Sequence, residues 1–240
     1  MLLNAPQREA IHYLDGPLLV LAGAGSGKTR VITQKIAYLI QECGFNPANI
    51  AAITFTNKAA REMQERITHM LGEKPKGITI STFHSLGVRL LREEATVLGY
   101  KPRFSIFDAT DCQAIVADLS GSVDKATIRR LQSIISNWKN GLVTPDAARH
   151  LASNETEALA ARVYLSYAAT LKAYQAVDFD DLIVLPVELF SQHPAVLDKW
   201  QNKLRYLLVD EYQDTNACQY TLLKLLTGPR AAFTAVGDDD

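Results

Sequence analysis

The chain has 240 residues, of which 48% are hydrophobic and 21% charged, with a formal net charge of −1 and a pI near 6.5. These values fit an ordinary soluble globular protein with one large core or two modest ones, and they exclude a global basic field, so any nucleic-acid binding must rest on a local stripe. Cys43, Cys112 and Cys218 are far apart without a C-x-x-C pair, which argues against a disulfide scaffold or zinc site, and with no apolar run near membrane-spanning length the chain reads as cytoplasmic.

In chain order, Asn4 to Leu14 is expected to form a short amphipathic helix, with Pro6 in its first turn and Gln7 on its polar side. Pro17 to Arg30 (PLLVLAGAGSGKTR) follows, an apolar run that stops in glycines. Leu18 to Leu21 reads as a buried parallel strand and Lys28 to Ile40 as a helix; Ala22, Gly23, Ala24, Gly25, Ser26 and Gly27 form the turn between them. Alternating glycines let successive N–H groups point inward at an anion, at the positive end of the helix dipole. Lys28 would reach the β and γ phosphates, and the Thr29 hydroxyl would hold Mg²⁺. The usual pattern is G-x-x-x-x-G-K-[ST]; its first position here is Ala22.

Ile50 to Phe55 is a second expected strand, followed by a helix from Asn57 to Leu71 with Ala60, Met63, Ile67 and Met70 on one face. Ile78 to Ser81 is a third strand, and Thr82 opens a helix reaching about Leu98. This alternation argues for a parallel sheet covered on both faces by helices. From about Asp108 to Ala176 the pattern turns helical, with starts at Thr110, Asp124, Thr144 and Asn154 and almost no strand signal, as in a helical subdomain inserted into an α/β unit. The α/β rhythm resumes with a helix from Asp178 to Phe190 broken or kinked at Pro186, a strand from Tyr206 to Val209, a helix from Asn216 to Leu226 and a strand from Ala231 to Val236. The expected division is 1–88 with 178–240 for the α/β domain and 89–177 for the insertion.

A phosphate loop needs a carboxylate for Mg²⁺ on a neighbouring strand and a base that positions the attacking water. Leu207-Leu208-Val209-Asp210-Glu211 supplies both, Asp210 as the metal ligand and Glu211 as the base. At the ends of the second and third strands, Phe55-Thr56-Asn57-Lys58 and Thr82-Phe83-His84-Ser85 bring aromatic rings, hydroxyls and an amide to the sheet edge, where ligand contact is one reading. Core packing is the competing fate of Phe55 and Phe83, and His84 also suits a buried, hydrogen-bonded position. Lys125, Arg129, Arg130 and Lys139 read either as phosphate-gripping side chains or as a solvated face.

Six stretches in order, AGAGSGKT (22–29), ITFTNKAAREM (53–63), STFHS (81–85), DFDDLI (178–183), LLVDEYQDTN (207–216) and VGDDD (236–240), resemble those of superfamily 1A DNA helicases of the UvrD/Rep-like type, and the likeness spans the whole chain, including SNWKN (136–140). The resemblance implies a RecA-like P-loop NTPase domain and an enzyme that hydrolyses Mg-ATP to move along single-stranded DNA, 3′ to 5′, at replication forks, partial duplexes or sites of repair. It assigns Gln7 and Arg30 to the adenine end of ATP, Lys28 to the β/γ phosphates, Thr29 and Asp210 to Mg²⁺, and Glu211 to the attacking water. Phe55, Thr56, Asn57, Thr82, His84 and Ser85 would contact DNA, with Phe55 stacked on a base. In that family further residues complete the ATP site from a second RecA-like domain, so these 240 residues are expected to belong to a longer chain and to bind nucleotide and DNA only weakly alone. A small-molecule P-loop kinase shares the phosphate loop but has no place for DEYQDTN; a non-catalytic nucleotide- or DNA-binding module is the other alternative.

Overall fold

The computed structural model describes residues 3–23 and 25–238, so Ala24, Asp239 and Asp240 lie outside the described residues. It divides into two units, one of Met1–Leu86, His193–Thr215 and Leu223–Asp240, the other of Gly87–Gln192 and Asn216–Leu222.

The first unit begins with α1 (Ala5–His12), started by a capping box in which the Asn4 side chain accepts from Gln7 N and the Gln7 side chain accepts from Asn4 N. Strand β1 (Leu18–Leu21) leads through the glycine turn into α2 (Lys28–Gln41), β2 (Ile50–Thr54) into α3 (Asn57–Leu71), and β3 (Thr79–Thr82) into α4 (Phe83–Glu94). Strands β6 (Tyr206–Val209) and β7 (Phe233–Gly237) complete a five-stranded sheet in the order β1-β7-β6-β2-β3, in which every pairing is parallel. Ile32, Ile36 and Leu39 of α2 and Met63 and Ile67 of α3 pack with Ile50, Ala52, Leu208 and Val236 of the sheet, while Ala10 and Ile11 tie α1 to Val31. β2 and β6 are buried at every residue, the mark of parallel strands enclosed on both faces. Such strands deliver their successors to one carboxyl edge, where α/β sheets place ligands.

The second unit holds β4 (Ser105–Ile106), α5 (Ala109–Ser120), α6 (Lys125–Asn140), α7 (Pro145–Leu151), α8 (Glu155–Ala173), β5 (Ala176–Val177) and α9 (Asp181–Gln192). Its core is formed by Val116, Leu131, Ile135, Ala160, Val163 and Tyr167 with their neighbours. β4 and β5 pair in parallel, a small sheet within 89–177, the insertion expected to be all-helical. α9 starts at Asp181 instead of Asp178 and runs without a break through Pro186 to Gln192. Pro186 supplies no N–H to the carbonyl of Leu182, and Gly87 of α4 lies against that carbonyl so closely that a Cβ there would overlap it. A helix α10 (Pro194–Lys203), with proline in its first turn, occupies the connection before β6 where the sequence gives no expectation of one. The last helix, α11 (Ala217–Thr227), follows Asn216, whose side chain accepts from Gln219 N.

Candidate active site

Ala22, Phe55, Asp210 and Asp238 each follow the last residue of a parallel strand, β1, β2, β6 and β7. This edge brings together residues far apart in the chain. The Thr29 hydroxyl donates to Asp210 Oδ2 at 3.0 Å, and the Lys28 ammonium, almost wholly buried, pairs with the Asp238 carboxylate. Burial pushes the Asp210 carboxyl above its ordinary value, and the Thr29 hydrogen bond only partly offsets it. A divalent cation is the natural compensation. Mg²⁺ takes one or two protein oxygens and fills its octahedron with phosphate and water, so Thr29 and Asp210 are a fitting donor pair for it.

Glu211 has φ 53° and ψ 47°, a left-handed conformation uncommon outside glycine, which turns the chain from β6 into the short 3₁₀ turn Tyr212–Asp214. Its N–H donates to Asp210 Oδ1 at 3.1 Å, and its Oε2 accepts from Gln213 Nε2 at 2.8 Å. Gln213 also accepts, through Oε1, the backbone N–H of Asp238 at 3.1 Å. Gly237 makes this approach possible, because a Cβ there would stand 2.8 Å from Gln213 Oε1. Gln213 lies within the LLVDEYQDTN stretch, but the residue type alone assigns it no partner.

The phosphate loop is supported from α1. Gln7 Nε2 donates to Ser26 O at 3.0 Å and so braces the loop, while its Oε1 serves the helix cap. Gly27, at φ 91°, starts α2 in a conformation that leaves room for that amide, since a Cβ would come 3.1 Å from Gln7 Nε2. Lys35, fully buried on α2, donates to the carbonyls of Ala10 (2.8 Å) and Tyr13 (2.6 Å) and so holds the end of α1; burial lowers its pKa to about 8. Arg30 is half-buried on α2 and lines a cavity of about 560 Å³ with Gln34, Arg66 and His69.

At the ends of β2 and β3 the proposed DNA residues of this unit are neighbours. The half-buried Phe55 ring lies 5.4 Å from that of Phe83, which is buried in the core. Thr56 and Asn57 are exposed, and the Thr56 hydroxyl caps α3 by accepting from Ala59 N. Thr82, unlike Ser85, is buried; its hydroxyl donates to Ser85 Oγ and accepts from Ser85 N, so it shapes the start of α4. His84 is half-buried beside them.

In the second unit Lys139 is neither a phosphate grip nor part of a solvated face. Its ammonium is buried between Asp178 Oδ2 (2.6 Å) and Asp181 Oδ1 (2.8 Å), and the Tyr167 hydroxyl donates to Asp178. Burial would lower the lysine, but the two carboxylates outweigh it and hold the ammonium above its ordinary value, while burial raises Asp181 to about 6. Asn140, the next residue, donates to Asp180 Oδ1 and accepts from Asn216 Nδ2. Phe179, between the two anchored aspartates, is exposed and borders a cavity of about 650 Å³ with Phe107, Arg129 and Gln132.

A five-stranded parallel sheet flanked by helices, with a glycine loop between its first strand and a Lys-Thr helix start, is the architecture of a RecA-like helicase domain. The chain belongs to the UvrD/REP helicase N-terminal domain family, whose description matches residues 3–240. It is 54% identical over 244 residues to the ATP-dependent DNA helicase Rep of Escherichia coli K12 and of Salmonella typhimurium LT2, and 46% identical over 242 residues to the ATP-dependent DNA helicase PcrA of Staphylococcus epidermidis. These alignments cover 99–100% of this chain, 36% of either Rep and 33% of PcrA, so the chain spans about a third of the length of the curated relatives it matches. Among the described residues no helix is long and apolar enough to cross a membrane.

Proposed function

We propose that this chain is the first motor domain of an ATP-dependent DNA helicase that works in the cytoplasm, moving 3′ to 5′ on single-stranded DNA in replication restart or repair. In this reading residues 22–27 cradle the phosphates and Lys28 neutralises the β and γ groups. Thr29 and Asp210 would hold Mg²⁺, which would supply positive charge to offset that of the phosphates. Glu211 takes a proton from, and orients, the attacking water, while Gln7 and Arg30 meet the adenine end. Phe55 stacks on a base, and Thr56, Asn57, Thr82, His84 and Ser85 line the strand's path; Thr82 acts through Ser85, because its own hydroxyl is used internally. The observation that most supports this reading is the meeting of Thr29 and Asp210 at the strand edge, next to Lys28.

Rapid hydrolysis would call on cationic side chains of a second RecA-like domain to stabilise charge on the γ phosphate, without which the rate falls by a factor on the order of 10³. These 240 residues alone should therefore bind Mg-ATP and single-stranded DNA weakly and turn over little. A radiometric ATPase assay with and without oligo-dT tests this: negligible stimulation is expected, and robust stimulation would show that the chain needs no such complement.

A further inference from the structure

The Gln213 amide joins the residues that follow β6 and β7, two neighbouring strands of the sheet, across the site. Its Nε2 donates to the Glu211 carboxylate at 2.8 Å, and its Oε1 accepts the Asp238 N–H at 3.1 Å. The Asp238 side chain in turn pairs with Lys28. A continuous chain of contacts results, running from Lys28 through Asp238 and Gln213 to Glu211. The Asp238 carboxylate supplies Lys28 with negative charge of the kind that phosphate oxygens bring. Bound phosphate competes for that ammonium, so Asp238 must give way. Its backbone N–H, on the residue directly after β7, is the group that Gln213 holds.

We propose that Gln213 is a positioning residue that ties the orientation of Glu211 to whether Lys28 is engaged by Asp238 or by phosphate. Two features of the chain suit that task. Glu211 sits in a left-handed conformation at the junction of β6 and a single 3₁₀ turn, closed by Asp214 N to Glu211 O and Thr215 N to Tyr212 O, which is a short segment that one side chain can re-aim. Gly237 leaves the space through which the Gln213 amide reaches the end of β7. The base would then be turned away from the cradle until the cradle is filled, which limits unproductive attack by water.

This inference rests on the nucleotide-binding reading, and its test separates the two. Hydrogen exchange of the amides at 211–215 is measured in this chain with and without Mg-ATPγS, alongside the affinity for a fluorescent ATP analogue. In the wild type, nucleotide should change exchange at 211–215 by about threefold or more. Gln213→Ala should bind nucleotide within about threefold of wild type yet lose that response, since the bridge and not the cradle is removed. The pair Glu211→Gln with Gln213→Glu rebuilds the bridge with donor and acceptor exchanged. The introduced amide then donates to the introduced carboxylate, whose second oxygen accepts the Asp238 N–H, and the response should return. A merely structural glutamine would leave 211–215 more exposed with or without nucleotide, and the exchanged pair would not repair it. Nucleotide binding without a response in the wild type, or no recovery in the exchanged pair, overturns the proposal. Failure of the wild type to bind nucleotide at all overturns the reading of the site itself.

Discussion

Thr29 and Asp210, 181 residues apart in the chain, meet as a hydroxyl donating to a carboxylate at 3.0 Å. The carboxylate is buried, and its pKa is raised by that burial. A raised pKa in the folded state means that ionising Asp210 near neutral pH costs stability, and a bound cation would return that cost. Asp210→Asn should therefore melt at the same or a higher temperature than wild type while losing about tenfold or more of the Mg²⁺-dependent part of nucleotide affinity. In the wild type the proton and the cation compete for Asp210, so the Mg²⁺ contribution should weaken as pH falls toward the raised pKa. Calorimetric titrations with Mg²⁺ or EDTA at several pH values, with thermal melts, check both.

Lys139→Met should be among the most damaging single changes in the second unit. It leaves Asp178 and Asp181 buried without their shared cation, a loss of about 3–5 kcal/mol. Adding Asp178→Asn and Asp181→Asn, which removes the whole charged cluster, should recover much of that loss. Urea denaturation of the single and triple variants decides it. A single variant within about 1 kcal/mol of wild type would show that the cluster contributes little.

Gly87→Ala places a methyl group where the Leu182 carbonyl already lies. Neither partner is a flexible side-chain end, so the backbone must shift, and a cost of about 1–3 kcal/mol is expected from overpacking despite the better helix propensity of alanine. The midpoint of chemical denaturation is the measurement; a stabilised variant would contradict the close approach.

The parts of this molecule that were legible in sequence are those whose signal is local. An apolar tetrad ending in Asp210-Glu211, and another ending in a glycine loop and Lys28-Thr29, announce strand, edge and chemistry within a few residues of one another. The small sheet of β4 and β5 was not legible, because two-residue strands show no periodicity. Lys139 resembled surface because it lies among polar residues on α6; its burial is set by Asp178, 39 residues later. Gln213 and Asp238 lie in stretches that the sequence singles out, 207–216 and 236–240, but their contacts to each other and to Lys28 exist only once β7 lies between β6 and β1. Of the break or kink expected at Pro186, the break does not occur, and the Leu182 carbonyl that proline leaves without its usual helical donor lies against Gly87.

Whether Lys28 and its loop form an Mg-ATP site is tested most directly by calorimetric titration of Mg-ATP into the 240-residue chain and its Lys28→Ala variant. Wild type should bind, and the variant should bind about tenfold or more weakly while melting no more than a few degrees away, because it loses a charge-assisted contact to phosphate and not a core contact. Equal affinity in the two proteins would show that Lys28 does not contact the phosphates.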